Sequence, residues 1–109
     1  MIYVSITTIP QRIKNLNKSV KSLLNQTRKP DKIFINIPFK YKRFSEAIVD
    51  NQIPKFDNNV VEITRCEDYG PGTKILGSLN KFEKNSLVIL VDDDHVYEDY
   101  MIEKFFYFY

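Results

Sequence analysis

Three adjacent aspartates follow an apolar segment of the chain. Residues 87–91 read Leu-Val-Ile-Leu-Val, and Asp92, Asp93 and Asp94 come directly after them. Carboxylates this close together repel one another. A divalent cation relieves that repulsion, and Mg²⁺ and Mn²⁺ prefer carboxylate oxygens as ligands. Alternate residues of an extended chain project to the same side, so the segment predicts a Mn²⁺ or Mg²⁺ site with Asp92 and Asp94 as ligands.

Other interpretations of the aspartates stay open or fit less well. A solvated acidic turn after a strand would show the same three residues. An EF-hand loop requires acidic or amide residues at alternate positions and then glycine, whereas Val96 and Tyr97 occupy those places. A hydrolase nucleophile of this kind usually follows the first strand of its fold, and this cluster follows the fourth. His95 is a further candidate ligand, although a histidine here can equally pack or hydrogen-bond beside the site.

A second polar segment, residues 68–74, reads Asp-Tyr-Gly-Pro-Gly-Thr-Lys. Glycines at the start of a helix let a ligand approach the backbone, and the helix N-terminus attracts anions. Lys74 is placed to reach a phosphate. The segment lacks the G-x-x-x-x-G-K-[ST] spacing of a P-loop, and Pro71 removes one N–H donor. An ordinary Gly-Pro-Gly turn at a helix start is therefore the alternative interpretation.

The third candidate segment is Thr7-Thr8-Ile9-Pro10-Gln11-Arg12. A threonine-rich strand end followed by a helix that begins with proline is common. The segment gains significance only if the fold brings it opposite the aspartates.

The elements that must position these segments are short buried strands and amphipathic helices. Apolar runs predict strands at residues 2–6, 33–37, 60–64 and 87–91. Helical spacing predicts helices at residues 12–26 and 98–106. A further helix is predicted to begin at Pro71, and its apolar face consists of Ile75, Leu76, Leu79 and Phe82. Residues 39–58 show one or two helical turns at most. This alternation is typical of an α/β protein with a mostly parallel sheet flanked by helices.

Such sheets bind ligands beyond the carboxyl ends of their strands, at the point where the strand order reverses. The simplest doubly wound order is 3-2-1-4, which makes strands one and four neighbours. The reversal would then bring Thr7 and Thr8 opposite residues 92–94 in one crevice.

Composition limits the possible functions. The chain has 109 residues and a formal net charge of +2, so we expect a single domain over residues 1–109 and no nucleic-acid partner. One cysteine, Cys66, excludes an internal disulfide. The start of the chain has no basic, apolar leader, and no apolar run approaches about 20 residues. We therefore expect an intracellular, cytoplasmic protein.

Together these segments resemble the N-terminal, nucleotide-sugar-binding half of the GT-A glycosyltransferases, close to the family-two type. The matching stretches are VSITTIPQRIKNLNKSVKSLLNQTRKPDKIFINI, DYGPGTKILGSL and VILVDDDHVY, in this order. Residues 92–94 correspond to the DxD motif of that family. The resemblance covers essentially the whole chain and implies a Rossmann-like GT-A fold.

The resemblance implies a metal-dependent enzyme that transfers a sugar from a UDP- or GDP-sugar to a hydroxyl of a glycan, protein or lipid acceptor. It places Asp68 on the base, Lys74 on the diphosphate or sugar, and Asp94 as the most direct ligand of Mn²⁺ or Mg²⁺, beside Asp92. The residues that would bind the nucleotide sugar are Thr7, Thr8, Arg12, Asp68, Gly72, Lys74, Asp92 and Asp93.

The sequence departs from the family in two respects. Many members have an acidic residue just after the second strand, where this chain has Pro38-Phe39-Lys40. Such domains also run to about twice this length, so we expect a truncated domain without the acceptor-binding half. Glu98 and Asp99 are more typical of a helix start than of a general base.

Two alternative functions stay open; the missing half favours the first, and the position of the aspartates after the fourth strand disfavours the second. The first is a non-catalytic module that binds a nucleotide sugar or nucleoside diphosphate, and the second is a Mg²⁺-dependent phosphotransferase or hydrolase.

The five aromatic residues at positions 105–109 would leave an apolar patch if nothing covered them. Self-association through this aromatic C-terminus is one way to cover it.

Overall fold

The computed structural model describes the backbone of residues 1–107 and the side chains of residues 1–105. Its strands are β1 (Ile2–Thr7), β2 (Lys32–Pro38), β3 (Val61–Cys66) and β4 (Leu87–Leu90). Its α-helices are α1 (Leu16–Leu24), α2 (Thr73–Leu76) and α3 (Met101–Tyr107). Short 3₁₀ turns lie at Pro10–Asn15, Asp50–Gln52, Gly70–Gly72 and Leu79–Lys81.

The four strands form one all-parallel sheet in the order β3-β2-β1-β4. In the centre of the sheet Val4 pairs with Ile33 on one side and Ile89 on the other. The predicted α/β class, parallel sheet and strand order are therefore confirmed. Because all strands run the same way, their carboxyl ends meet at one edge of the sheet.

One face of the sheet carries the apolar core. Alternate residues of the strands point to this face, where α1, the turn before it and α3 cover them. Burial of each large aliphatic side chain here stabilises the fold by about 1.5–3 kcal/mol. The core residues on the sheet are Ile2, Val4, Ile6, Ile33, Ile35, Ile37 and Ile89, and those that cover them include Ile13, Leu16, Val20, Leu23 and Ile102.

The opposite face of the sheet is aromatic at one end and polar at the other. The rings of Tyr3, Phe34 and Phe82 contact one another with centroids 5.4–5.6 Å apart. Nearer the carboxyl edge, the fully buried Asn36 amide donates to the Thr73 carbonyl at 3.0 Å and to the Ser78 hydroxyl at 3.2 Å. Polar contacts with the sheet therefore hold α2 in place at its first residue, Thr73, and just after its end, at Ser78.

The second helix differs from its prediction. Only four residues, Thr73–Leu76, form α2, and Leu76 and Leu79 of the predicted apolar face are 47% and 52% exposed. The small residues Thr73 and Ser78 face the sheet instead, because that face presents polar side chains. The predicted apolar face was therefore wrong at Leu76 and Leu79, whereas Phe82 does pack on the sheet, against Tyr3 and Phe34.

The first helix agrees with its prediction, and the last begins later than predicted. α1 continues the 3₁₀ turn that begins at Pro10. α3 begins at Met101 because the buried Gln26 side chain caps it. The Gln26 amide donates to the Glu98 carbonyl at 2.6 Å and accepts from the Ile102 N–H at 2.9 Å. Residues 39–58 contain one 3₁₀ turn, Asp50–Gln52, as expected for an irregular segment.

In the described part of the chain no helix has the length and apolar character that a membrane span requires. The predicted self-association concerns residues 105–109, and the side chains of 106–109 lie outside the described residues.

Candidate functional site

A cleft of about 200 Å³ opens at the carboxyl ends of β1, β2 and β4. It lies where the strand order reverses, as predicted. The predicted site residues that line it are Thr7, Thr8, Arg12, Asp68, Lys74, Asp92 and Asp93. Gly72 is not among the lining residues; Gly70 is, with a φ of +62° that favours glycine. Asp94 lies in an adjoining pocket that shares Arg12 and Asp93 with the cleft.

Asp93 is the buried member of the aspartate cluster and is 2% exposed. Its Oδ2 accepts hydrogen bonds from the Thr8 hydroxyl at 2.5 Å and from Arg12 Nε at 3.2 Å, and Arg12 Nε lies 3.1 Å from Oδ1 as an ion pair. The Ser19 hydroxyl of α1 donates to the carbonyls of Asp93 and His95 at 2.8 and 2.6 Å. These contacts join the end of β4 to the end of β1 and fix the path of the acidic loop.

The other two aspartates point outward with His95. One ligand atom from each of Asp92, Asp94 and His95 lies within 4.8 Å of the others, and all three residues are exposed. The Tyr97 hydroxyl accepts from the Asp92 N–H at 2.8 Å and donates to its carbonyl at 2.7 Å. Two carboxylates and an imidazole form a donor set that Mn²⁺ accepts. These residues therefore fit a divalent cation, and the predicted pair of ligands has a third candidate in His95.

Lys74 extends from α2 toward the same aspartates. Its ammonium group lies 3.2 Å from Asp92 Oδ1, and both side chains are partly exposed. A surface ion pair of this kind contributes little to stability. It does place a cation beside the candidate metal ligands, where an anionic ligand would also be attracted.

Asp68 joins two loops at the far end of the cleft. One carboxylate oxygen accepts from the Lys42 N–H and the other from the Gly70 N–H, both at 2.8 Å. The hydrogen bond from Lys42, supported by that from Gly70, holds the pKa of Asp68 below its usual range. The predicted contact of Asp68 with a base stays a prediction, and its observed partners are backbone groups.

The loop after β2 adds Tyr41 and Arg43, which were not predicted from the sequence. Both line the cleft from the loop after β2. The Tyr41 hydroxyl donates to the Thr8 carbonyl at 2.7 Å, and burial raises the pKa of this phenol. The available signal was the run Lys40-Tyr41-Lys42-Arg43 immediately after a predicted strand, at the edge where ligands bind.

Cys66 ends β3 beside the cleft and is partly buried. Burial raises the pKa of its thiol. Because the thiolate is the reactive form, we expect iodoacetamide to modify Cys66 more slowly at pH 8 than it modifies a free cysteine. The rate should rise with pH through a midpoint above that of the free amino acid, as measured by mass spectrometry over a pH series. A midpoint at or below that of free cysteine would contradict this expectation.

Comparisons with known proteins add no family to this description: no protein-family model matches the chain, and no curated protein matches it. The fold and the site define a small α/β protein of Rossmann-like organisation with a polar cleft at the switch point of its sheet.

Proposed function

We propose that this chain is a nucleotide-sugar-binding domain of GT-A type, and that its reaction is metal-dependent transfer of a glycosyl group from a UDP- or GDP-sugar to an acceptor hydroxyl. One observation carries the proposal. Three separate segments converge on one cleft at the strand-order reversal: the Thr7-Thr8 strand end, the Asp68–Lys74 region, and Asp92 with Asp93. The resemblance that linked these segments by order and spacing required this convergence.

The proposed roles follow from the charges of the cleft. Asp92, Asp94 and His95 would hold Mn²⁺ or Mg²⁺. When bound, such a cation neutralises the charge that grows on a leaving diphosphate. Lys74 is positioned to bind the diphosphate through its ammonium group, since its present partner Asp92 is exposed and would contact the cation instead. Thr7 and Thr8 line the wall of the cleft beside these charged residues, where the nucleoside attached to the diphosphate would lie.

A non-catalytic binding module is the second candidate, and one observation favours it. Each carboxylate that lines the cleft already accepts a hydrogen bond or an ion pair: Asp68 from backbone N–H groups, Asp92 from Lys74, and Asp93 from Thr8 and Arg12. An acceptor hydroxyl would therefore have to displace an existing partner from any of these three carboxylates.

Calorimetric titration with UDP and GDP, with and without Mn²⁺, tests the proposal. We expect nucleotide binding to depend on the metal. Asp94→Ala or a chelator should weaken that binding at least about tenfold. Mutation of a residue that only hydrogen-bonds a metal ligand typically weakens metal binding by about 10–100-fold, and loss of a direct ligand should have no smaller effect. Asp57→Ala is the matched control, since it removes an exposed carboxylate outside the cleft. Absence of metal-dependent binding of either nucleotide would overturn both candidates.

Turnover separates the candidates from each other. Steady release of sugar from a bound donor supports an enzyme, whereas binding without release supports the module. Release of phosphate from simple phosphoesters would instead support the phosphotransferase or hydrolase alternative.

A further inference from the structure

The loop after β2, residues 39–44, is fastened across the end of the cleft. The Phe39 N–H donates to the Cys66 carbonyl at 2.9 Å, which extends the pairing of β2 with β3 by one residue. The Lys42 N–H donates to Asp68 at 2.8 Å, and the Tyr41 hydroxyl donates to the Thr8 carbonyl at 2.7 Å. The loop is thus attached to the ends of both β3 and β1, and its position relative to the cleft is fixed at three points.

This loop brings Arg43 to the cleft, where its charge helps to hold the pKa of Asp68 low without forming a salt bridge to any described side chain. Arg12 pairs with Asp93 at 3.1 Å and Lys74 with Asp92 at 3.2 Å. Among the residues whose side chains are described, no carboxylate lies within ion-pair distance of Arg43, whose contact is the Phe44 ring, 5.2 Å from its guanidinium carbon. An arginine that lines a polar cleft has five N–H donors and no acceptor. Its guanidinium is available for a ligand with acceptor atoms.

The order of the strands indicates which part of a nucleotide Arg43 would meet. The loop follows β2 and the aspartates follow β4, and these strands lie on either side of β1. Two strand spacings separate them, roughly 10 Å. With the diphosphate beside Lys74 and the candidate metal ligands, the nucleoside would extend past Thr7 and Thr8 toward the loop. Arg43 would then face the base.

We propose that Arg43 determines the base specificity of the cleft by donating hydrogen bonds to carbonyl-bearing bases; this rests on the proposed function. Guanine presents two acceptors, O6 and N7, and uracil presents its O4 carbonyl. Adenine and cytosine place an amino group where guanine has O6 and uracil has O4, and adenine keeps only N7 as an acceptor there. A guanidinium cannot accept a hydrogen bond from that group. The cleft therefore selects GDP and UDP over ADP and CDP through a residue that follows β2.

Titration of four nucleoside diphosphates in the presence of Mn²⁺ tests this specificity. The native chain should bind GDP about 5- to 150-fold more tightly than ADP, the range that one bidentate arginine–base contact provides. It should prefer UDP over CDP by a smaller factor, because uracil offers one acceptor at this edge. Arg43→Ala should remove most of that preference. Arg43→Lys should keep less than half of the free-energy difference between the preferred and the disfavoured nucleotides, because an ammonium group lacks the planar, two-donor geometry of a guanidinium. Lys40→Ala removes a charge from the same loop outside the cleft and should leave the preference unchanged.

Two outcomes would overturn the inference while the proposed function stands. If Arg43→Ala weakens all four nucleotides by the same factor, the guanidinium binds phosphate or ribose and does not select the base. If the preference persists unchanged in Arg43→Ala, another group selects the base. Failure of the native chain to bind any of the four would overturn the proposed function, and the base specificity with it. Circular dichroism of each variant confirms that the exposed substitutions leave the fold intact.

Discussion

Replacing Arg12 by alanine is expected to lower the free energy of unfolding by about 2–3 kcal/mol. Asp93 is almost fully buried, and without the guanidinium its charge keeps only the hydrogen bond from Thr8 as a described side-chain contact. Removal of one partner of a buried ion pair typically costs about 3–5 kcal/mol. The value here is lower because the Arg12 side chain is 44% exposed, so solvent already screens the pair. Urea denaturation at pH 7 measures the change.

Two controls identify the cause of that destabilisation. Lys14→Ala removes a cation from the same 3₁₀ turn, and because Lys14 is exposed the change should stay within about 0.5 kcal/mol. Adding Asp93→Asn to Arg12→Ala removes the unpaired charge and should recover part of the loss. An Arg12→Ala variant as stable as Lys14→Ala would show that the ion pair does not stabilise the fold.

Replacing Gly77 by alanine is expected to destabilise the fold by about 1–3 kcal/mol, the usual cost of overpacking. A Cβ at this position would lie 2.8 Å from Cβ and Cγ of the fully buried Asn36 and 2.9 Å from the Thr73 carbonyl oxygen. Neither neighbour can move freely, because Asn36 is hydrogen-bonded to Thr73 and Ser78. Thermal and urea denaturation should both report the loss.

Gly72→Ala provides the matched control for Gly77→Ala. There the new Cβ would meet the exposed and flexible Leu76 side chain at 3.4 Å. The φ of Gly72, −70°, is ordinary for alanine. Because alanine reduces the conformational entropy of the unfolded chain, we expect Gly72→Ala to leave the stability unchanged or to raise it slightly. Equal destabilisation by both variants would contradict the close approach of Gly77 to Asn36.

The sheet and the location of the cleft could be predicted from the sequence because they depend on short-range patterns. Strands covered on both faces appear as largely apolar runs, as in residues 2–6, all of which are buried. Their alternation with helices restricts the sheet to a few topologies. Polar residues directly after such strands must then lie at the binding edge. The sequence therefore predicts that Thr8 and Asp93 lie together, and a hydrogen bond joins them in the fold.

The packing of α2 could not be predicted in the same way. Periodicity assigns leucines to the buried side of a helix, and this rule failed at Leu76 and Leu79. The reason is that the sheet face beneath α2 presents Ser5 and Asn36, so small polar residues make the contact. Which face of a sheet is polar depends on contacts between residues distant in sequence.

The contribution of the loop after β2 was also missed, for a related reason. Tyr41 and Lys42 are held by single hydrogen bonds to Thr8 and Asp68, 33 and 26 positions away. No sequence motif or hydrophobic periodicity predicts such contacts. The loop lacks regular structure, so only the folded chain shows that Arg43 reaches the cleft.

The central position of β1 has a consequence for biosynthesis. Its contact with the end of β4 joins Thr8 to Asp93, 85 positions later in the chain. A ribosome adds about 5–20 residues per second, so roughly 4–17 s pass between synthesis of the two. During that interval one edge of β1 has no strand beside it, and an open edge can pair with other chains. A nascent chain that has already joined β1 to β2 therefore still needs protection from aggregation until β4 emerges.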